Sequence, residues 1–509
     1  MWDTIVIGSG IGGLGAAAAL AHAGQRVLVL EQHHRAGGLT QTFRRGAWRF
    51  ATGVHYLGGV GPGSGPEHQA GRLLDWLSGG RLRFTPLANP YDIVRLPGFE
   101  FGIRHPQAAF QADLRARFPD EATAIDAWFT RCDALQRSAT TMFMLRALPA
   151  PLAWGLRWWR GAAFDRDLHL TLAESLQPLR DPRLRAVLAA RWGDHGAPPA
   201  DAPLVEHALV LHSYDAGAFY PVDGPDSFVQ ALQPVIESAG GALRTGQRVT
   251  RILVENGRAA GVEFDDGHER HRESARQVIS AMGVANTVAC LDDSVAPAWQ
   301  ATLRALRPGL AGLSLYLGFE GDIAAAGAGS ANVWLAGQED VGRVWRRPAD
   351  EDAPLLFVSF PSLKDPAAHA APCGELLALC DAAPFAPWLG AGADAPRDAA
   401  YKALKARIEA RLLAQFERHF PALAPMVRFH ELATPATQQH LLRSPDGALY
   451  GIEMSAERLG TPALRVRTPL PGLLLAGQDV SSPGIVGALM GGLMAAAALE
   501  RPLLARLAG

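Results

Sequence analysis

The sequence predicts an α/β protein organised around a Rossmann-type dinucleotide-binding unit. Residues 3–32, DTIVIGSGIGGLGAAAALAHAGQRVLVLEQ, read as strand, glycine turn, helix and strand. Residues 472–492, GLLLAGQDVSSPGIVGALMGG, give a second strand, turn and helix near the other end of the chain. Between these stretches, over about 76–219 and 291–464, the pattern changes to mixed helices and short strands, which marks a region of different build.

The first element is a short apolar strand, TIVIG, followed by an alanine-rich helix from Ile11 to Ala23 and a second strand, RVLVLE. Gly8, Gly10 and Gly13 fall in the G-x-G-x-x-G spacing, with Gly12 beside them. Gly8 suits the tight turn, Gly10 lets a pyrophosphate approach the backbone, and Gly13 lets the helix close on the sheet. The helix start then offers free N–H groups and its positive end to phosphate. Glu31 ends the second strand, at the spacing of an acid that binds ribose hydroxyls, and its charge disfavours a 2′-phosphate.

The next residues separate FAD from a nicotinamide dinucleotide. Gln32, His33, His34 and Arg35 lead to a second glycine turn at Gly37 and Gly38, with Arg35 within reach of phosphate. Nicotinamide dehydrogenases do not usually need such a turn, whereas extended FAD often uses one. At the far end, Gly477, Gln478 and Asp479 form a turn, and Asp479 is suited to accept from a cofactor hydroxyl. The helix that follows from about Gly484, Ile485 and Val486 aims its positive end at the same place, where a reduced flavin gathers negative charge.

Composition bounds the rest. The 509 residues are 48% hydrophobic and 19% charged with a net charge of −2, so no basic face for nucleic acid is expected. Lysine occurs at Lys364, Lys402 and Lys405 alone, a poor basis for Schiff-base chemistry. The four cysteines have no metal-ligand or CxxC spacing, so no metal is expected and a reduced, cytoplasmic protein is. Asp3 already begins the first strand, so no signal peptide is expected. The run GIVGALMGGLMAAAAL is short for a membrane span and reads as a buried helix. Residues 398–420 read as an amphipathic helix with a charged outer face.

Taken together, the stretches VIGSGIGGL, EQHHRAGG, TGVHYLGG, FYPVDGPDSFVQAL, VISAMG and LLLAGQDV…IVGALMGG resemble the phytoene desaturase-like flavoproteins, and within them the branch of retinol saturase and carotenoid isomerase. The resemblance implies a discontinuous FAD-binding Rossmann domain of glutathione-reductase type, with an inserted α+β substrate domain. Residues 1–75, 220–290 and 465–509 would form the first, and 76–219 and 291–464 the second. It implies FAD held without a covalent bond by Gly8, Gly10, Gly13, Glu31, Gly37, Gly38 and Asp479, with the Val249 backbone at the adenine. The Val249 segment independently reads as two strands around the ENG turn. This chain departs from the branch at Leu39, Thr40 and Gln41, where cysteines are usual, and at Ala51, where an acid is usual.

Two segments bear on the substrate. Residues 140–161 cluster Trp154, Trp158 and Trp159 with Arg146, Arg157 and Arg160, a composition suited either to a lipid headgroup boundary or to a helix pair over an apolar cavity. The stretch FATGVHYLGG reads as a strand, which would send His55 and Tyr56 to opposite faces, one toward substrate and one toward the core. His55 is the first candidate proton donor and Tyr56 the second. The expected activity is FAD-dependent redox chemistry at carbon–carbon double bonds of an apolar polyene, by saturation, desaturation or isomerisation. An external electron donor is called for if the flavin is consumed reduced. The alternatives are tailoring or reductive cyclisation of a polyketide-derived polyene, an NAD-dependent dehydrogenase, and a prenyl-lipid carrier on the same fold that uses no flavin.

Overall fold

The computed structural model describes residues 1–63, 65–147, 155, 166–365, 367, 371–389 and 397–508. Strands Ala242–Arg244, Val27–Leu30, Trp2–Ile7 and Arg270–Ser280 lie parallel in that order, and Leu473–Leu475 pairs in parallel with the end of Arg270–Ser280. The sheet therefore draws strands from the start, the middle and the end of the chain. Strands Val27–Leu30 and Leu473–Leu475 are buried along their whole length, as expected of parallel strands covered on both faces. Arg270–Ser280 changes partners along its length. Its first half pairs antiparallel with Arg258–Asp265, which pairs in turn with Arg248–Glu255. These two strands flank the ENG turn, as the sequence predicts.

Helix Ile11–His22 is buried on every side up to Ala21, which its run of alanine and glycine makes possible. Helices Ser227–Ser238 and Gly484–Leu499 pack against it. The contact with the latter runs backbone to backbone. A Cβ at Gly492 would sit 2.0 Å from the Gly12 carbonyl oxygen, and one at Gly12 would sit 2.8 Å from that of Ala488. The second helix is the buried helix predicted from GIVGALMGGLMAAAAL. Among the described residues no helix is long and apolar enough to cross a membrane.

The second region is built on a seven-stranded sheet in the order Val427–Ala433, Ala311–Phe319, Cys373–Cys380, Leu355–Ser359, Asn332–Ala336, Asp92–Leu96 and Phe99–Ile103. Its two faces separate by strand alternation. Leu356 and Val358 join Ile408, Leu412 and Phe416 of the amphipathic helix Ala399–His419, whereas Leu355 and Phe357 join a helical layer containing Phe129 and Leu211. Of the 140–161 segment, 140–147 closes the helix Ala122–Ala147, and most of the remainder, with Trp154, Trp158 and Trp159, lies outside the described residues.

One expectation fails. The strand before His55 is Trp48–Ala51, paired with Thr42–Arg45, and it ends at Ala51. Residues 52–60 then run irregularly, tied at Leu57 to Phe219 by a reciprocal pair of backbone hydrogen bonds. Without a continuous ladder the alternation argument for His55 and Tyr56 has no basis, and both side chains border one chamber.

Candidate cofactor and active site

A cavity of about 470 Å³ opens along the carboxyl ends of the parallel strands. Of the residues singled out in the sequence, Gly8, Gly10, Glu31, Gln32, Gly38, Val249, Gly477 and Asp479 line it. The helix N-terminus at its floor is open. Gly10 caps helix Ile11–His22 without a side-chain hydrogen bond, and no acidic residue stands in the first turn. A Cβ on Gly10 would meet no atom within 4 Å, so the glycine leaves that space to a ligand. A Cβ on Gly13 would lie 2.0 Å from the Gly8 carbonyl oxygen, which makes Gly13 a packing glycine.

Buried Glu31 ties the two glycine turns together. Its Oε2 accepts from Ser9 N at 2.9 Å and Ser9 Oγ at 2.7 Å, and its Oε1 accepts from His33 N at 2.8 Å. Ser9 Oγ in turn accepts from Gly37 N at 2.9 Å, where the backbone is left-handed with φ 116°. Asp479 braces the opposite wall, accepting from Val284 N at 2.9 Å and Ile452 N at 3.2 Å. Gln32 bridges to the 441–443 segment, donating to the Leu441 carbonyl and accepting from Arg443 Nε. Arg35 turns away. Its guanidinium donates to the Thr42 carbonyl at 3.0 Å, and it is not among the residues that line the cavity. Gly12, Gly13 and Gly37 stand behind the wall, and Gly484, Ile485 and Val486 form the first turn of their helix without lining the cavity.

A smaller chamber of about 40 Å³ lies next to it, separated by the 449–450 turn, where Leu449 borders the large cavity and Tyr450 the small one. Trp192, Trp334, Phe357, Leu377 and Leu379 give it apolar walls, and His55, Tyr56 and Asp194 supply its polar groups. His55 Nδ1 lies 2.8 Å from Glu375 Oε2, so the ring proton belongs on that nitrogen. Its Nε2 is buried without a hydrogen-bond partner among the described residues. Glu375 is 1% exposed and also accepts from Ala51 N at 2.6 Å. Buried Lys364 donates to the His55 carbonyl at 2.8 Å, to Ser359 Oγ at 2.7 Å and to Asn332 Oδ1. Asn332 Nδ2 donates onward to Asp92 Oδ1 at 3.0 Å. Burial lowers the Lys364 amine to about 7 and raises the Asp92 carboxyl above its ordinary range. It also raises Tyr56 well above the usual phenol value, so an ionised Tyr56 is disfavoured.

Sequence reading missed Glu375, Lys364, Asn332, Asp92 and Asp194. Two of them left a trace: Lys364 is a rare lysine in an arginine-rich chain, and Glu375 is a lone acid inside the apolar run CGELLALC. Asp92, Asp194 and Asn332 left none, because their significance lies in partners far away in the chain.

An open helix N-terminus under a long cleft, with a buried acid closing the second strand, is the arrangement of a dinucleotide-binding site, and an aromatic-walled chamber lies alongside. The family model described as flavin containing amine oxidoreductase matches residues 11–499, and the chain belongs to that family. It is therefore an FAD-dependent oxidoreductase, with the FAD-binding Rossmann fold and added substrate region that the sequence predicts. The chain is 34% identical to the all-trans-retinol 13,14-reductases of Macaca fascicularis and Homo sapiens, over 98% of its own length and 85% of theirs. It is 25% identical to the chloroplastic prolycopene isomerase of Arabidopsis thaliana, over 89% of this chain and 74% of that one. Among solved structures, an oxidoreductase from Methanosarcina mazei superposes with a TM-score of 0.65 at 18% identity, covering 96% of this chain and 99% of that one. Cyclohexylamine oxidase from Brevibacterium oxydans does so at 0.62 and 20% identity, with 99% of each chain covered.

Proposed function

We propose that the protein reduces a carbon–carbon double bond of an apolar, retinoid-like polyene. The likeness to all-trans-retinol 13,14-reductases over nearly the whole chain carries this reading. The lining supports it, since its aromatic and leucine side chains suit a conjugated hydrocarbon, and at about 40 Å³ the chamber holds no more than a short part of a polyene.

FAD, when bound, supplies the hydride. The residues suited to hold it are Gly8, Gly10, Gly38, Glu31, Gln32, Val249, Gly477 and Asp479, around a helix start that suits its pyrophosphate. The chain's own work lies on the other side of the double bond. Saturation adds a hydride to one carbon and a proton to its neighbour, so a proton source must face the chamber. Glu375 holds the His55 ring through Nδ1 and Lys364 holds its backbone through the carbonyl; with the ring proton on Nδ1, His55 positions the polyene rather than protonating it. An external donor restores the two electrons used in each turnover. An apolar polyene partitions into lipid, and the tryptophan and arginine composition of residues 154–160 suits a lipid surface, whereas Arg146 departs from that expectation, being buried and donating to the Arg458 and Leu459 carbonyls.

The test is anaerobic. Chemically reduced holoenzyme is mixed with all-trans-retinol, and the products are separated and weighed by mass spectrometry. A product heavier by two hydrogens is expected, with one flavin reoxidised per product. Isomers of unchanged mass would replace saturation with isomerisation, the chemistry in the name of the Arabidopsis relative.

A further inference from the structure

The Tyr56 hydroxyl poses a problem of proton count. Its oxygen lies 2.8 Å from Asp194 Oδ2 and 3.2 Å from Asp92 Oδ2. A phenol has one hydrogen and donates to one acceptor at a time. A second ionised carboxylate at that range would set lone pairs against lone pairs in a buried site. The arrangement is satisfied when one carboxyl carries a proton and donates it to the phenol oxygen, while the phenol donates to the other.

The surroundings decide which carboxyl that is. Asp92 is fully buried, accepts from Asn332 Nδ2, and lies in the field of Arg191 and Lys364. Such cations and donors favour the ionised form. Asp194 has Tyr56 as its one hydrogen-bond partner among the described residues, and it borders the chamber. Around it stand Tyr56 from the 52–60 loop, Tyr91 and Asp92 at the start of strand Asp92–Leu96, Arg191 from its own turn, Tyr214 after helix Leu204–Ser213, and Tyr450. Arg191, whose Nη1 donates to the Tyr91 hydroxyl at 2.7 Å, favours ionisation of both carboxyls, so Asn332 Nδ2 and the Lys364 charge are what single out Asp92 as the ionised one.

We propose that the Asp194 carboxylic acid is the proton donor of the reduction, with Tyr56 as the group that holds its charge afterwards. This rests on the reading of the protein as a polyene reductase. When one carbon of the double bond has taken up hydride, the Asp194 O–H turns from the phenol oxygen to the chamber, the O–H bond breaks and its proton bonds to the neighbouring carbon. The carboxylate left behind takes the Tyr56 hydrogen from Asp92 at the existing 2.8 Å contact, Asp92 keeps Asn332 Nδ2 as its donor, and the unfavourable pair of ionised carboxyls is relieved when water returns a proton before the next turnover. The direction of the Asp194 shift agrees. Burial, and then Asp92, push its carboxyl up to about 7, so the acid form persists near neutral pH. His55 then positions the polyene from the opposite side.

Two measurements test this. The first needs no substrate. Infrared spectra of the wild-type holoenzyme at about pH 6 should show the carbonyl band of a buried carboxylic acid, shifted in D2O and lost as pH rises through about 7. The band should be missing in Asp194→Asn, and its persistence there would place the proton elsewhere and overturn the proposal. The second follows steady-state reduction of retinol by holoenzyme kept reduced with excess chemical reductant. Asp194→Asn should keep its FAD and its KM while kcat falls about 100-fold or more, and Asp194→Glu should recover part of the loss. The wild-type rate should fall as pH rises through about 7. An unaltered kcat in Asp194→Asn would overturn the donor role even if the infrared band behaves as expected. A wild type inert toward polyenes would overturn the reductase reading and the donor role with it, while the infrared result would still report where the proton resides.

Discussion

Gly10 and Gly13 stand three residues apart in one glycine run, yet a methyl group meets a different fate at each. At Gly10 the backbone has φ −59° and ψ 167°, which any residue adopts, and the added Cβ touches nothing within 4 Å. Gly10→Ala replaces a favourable cap residue with a poor one, a cost of about 0.5–1 kcal/mol. It also removes freedom from the unfolded chain, a gain of about 0.4–1 kcal/mol. The two nearly offset, so the deflavinated variant should unfold within about 0.5 kcal/mol of wild type. FAD binding should suffer, because the methyl enters the cavity where backbone N–H groups meet phosphate. Each charge-assisted hydrogen bond lost costs about 1.5–3 kcal/mol, or roughly 10- to 150-fold in Kd. Gly13→Ala behaves in reverse. Its Cβ lies 2.0 Å from the Gly8 carbonyl oxygen, and backbone cannot rotate away, so about 1–3 kcal/mol of fold stability should go with or without FAD. Urea unfolding of the deflavinated proteins and fluorescence titration with FAD measure the two quantities separately. Wild-type FAD affinity in Gly10→Ala, or equal destabilisation of both apoproteins, would refute this division of roles.

Glu31→Ala removes the acceptor shared by Ser9 N, Ser9 Oγ and His33 N, and FAD affinity should fall by at least about tenfold in the same titration. His55→Ala should keep its flavin absorbance and lose at least about tenfold in turnover, roughly 1.4 kcal/mol of transition-state stabilisation; normal turnover would reduce His55 to a packed residue. The Asp194 carboxyl rises from 3.8 unfolded to about 7 folded, so its contribution to stability is complete below about pH 4 and is lost as pH rises through about 7. Stability of Asp194→Asn followed by urea unfolding should lack that decline, and parallel pH curves for the two proteins would contradict the buried acid. Replacing Trp158 and Trp159 with serine should lower liposome association at constant FAD content, and equal partitioning would argue for a role over the cavity alone.

The local code of this protein lies in its sequence because it depends on neighbours along the chain. Glycine spacing dictates the turn at Gly8 and the close approach at Gly13, which steric exclusion enforces whatever surrounds them. The same holds for the strands around ENG, the buried helix Gly484–Leu499 and the amphipathic helix Ala399–His419, whose periodicities stand in consecutive residues. The chamber is of another kind. Tyr56, Asp92, Asp194, Asn332, Lys364 and Glu375 come from separate segments, and no spacing rule relates them. Their meaning arises when burial removes water and leaves each donor and acceptor to find another. The 52–60 segment shows the limit most plainly. Its residues look like a strand, but the backbone of Leu57 pairs with Phe219 and the His55 carbonyl accepts from Lys364, so tertiary partners fix its path and turn both His55 and Tyr56 toward one chamber.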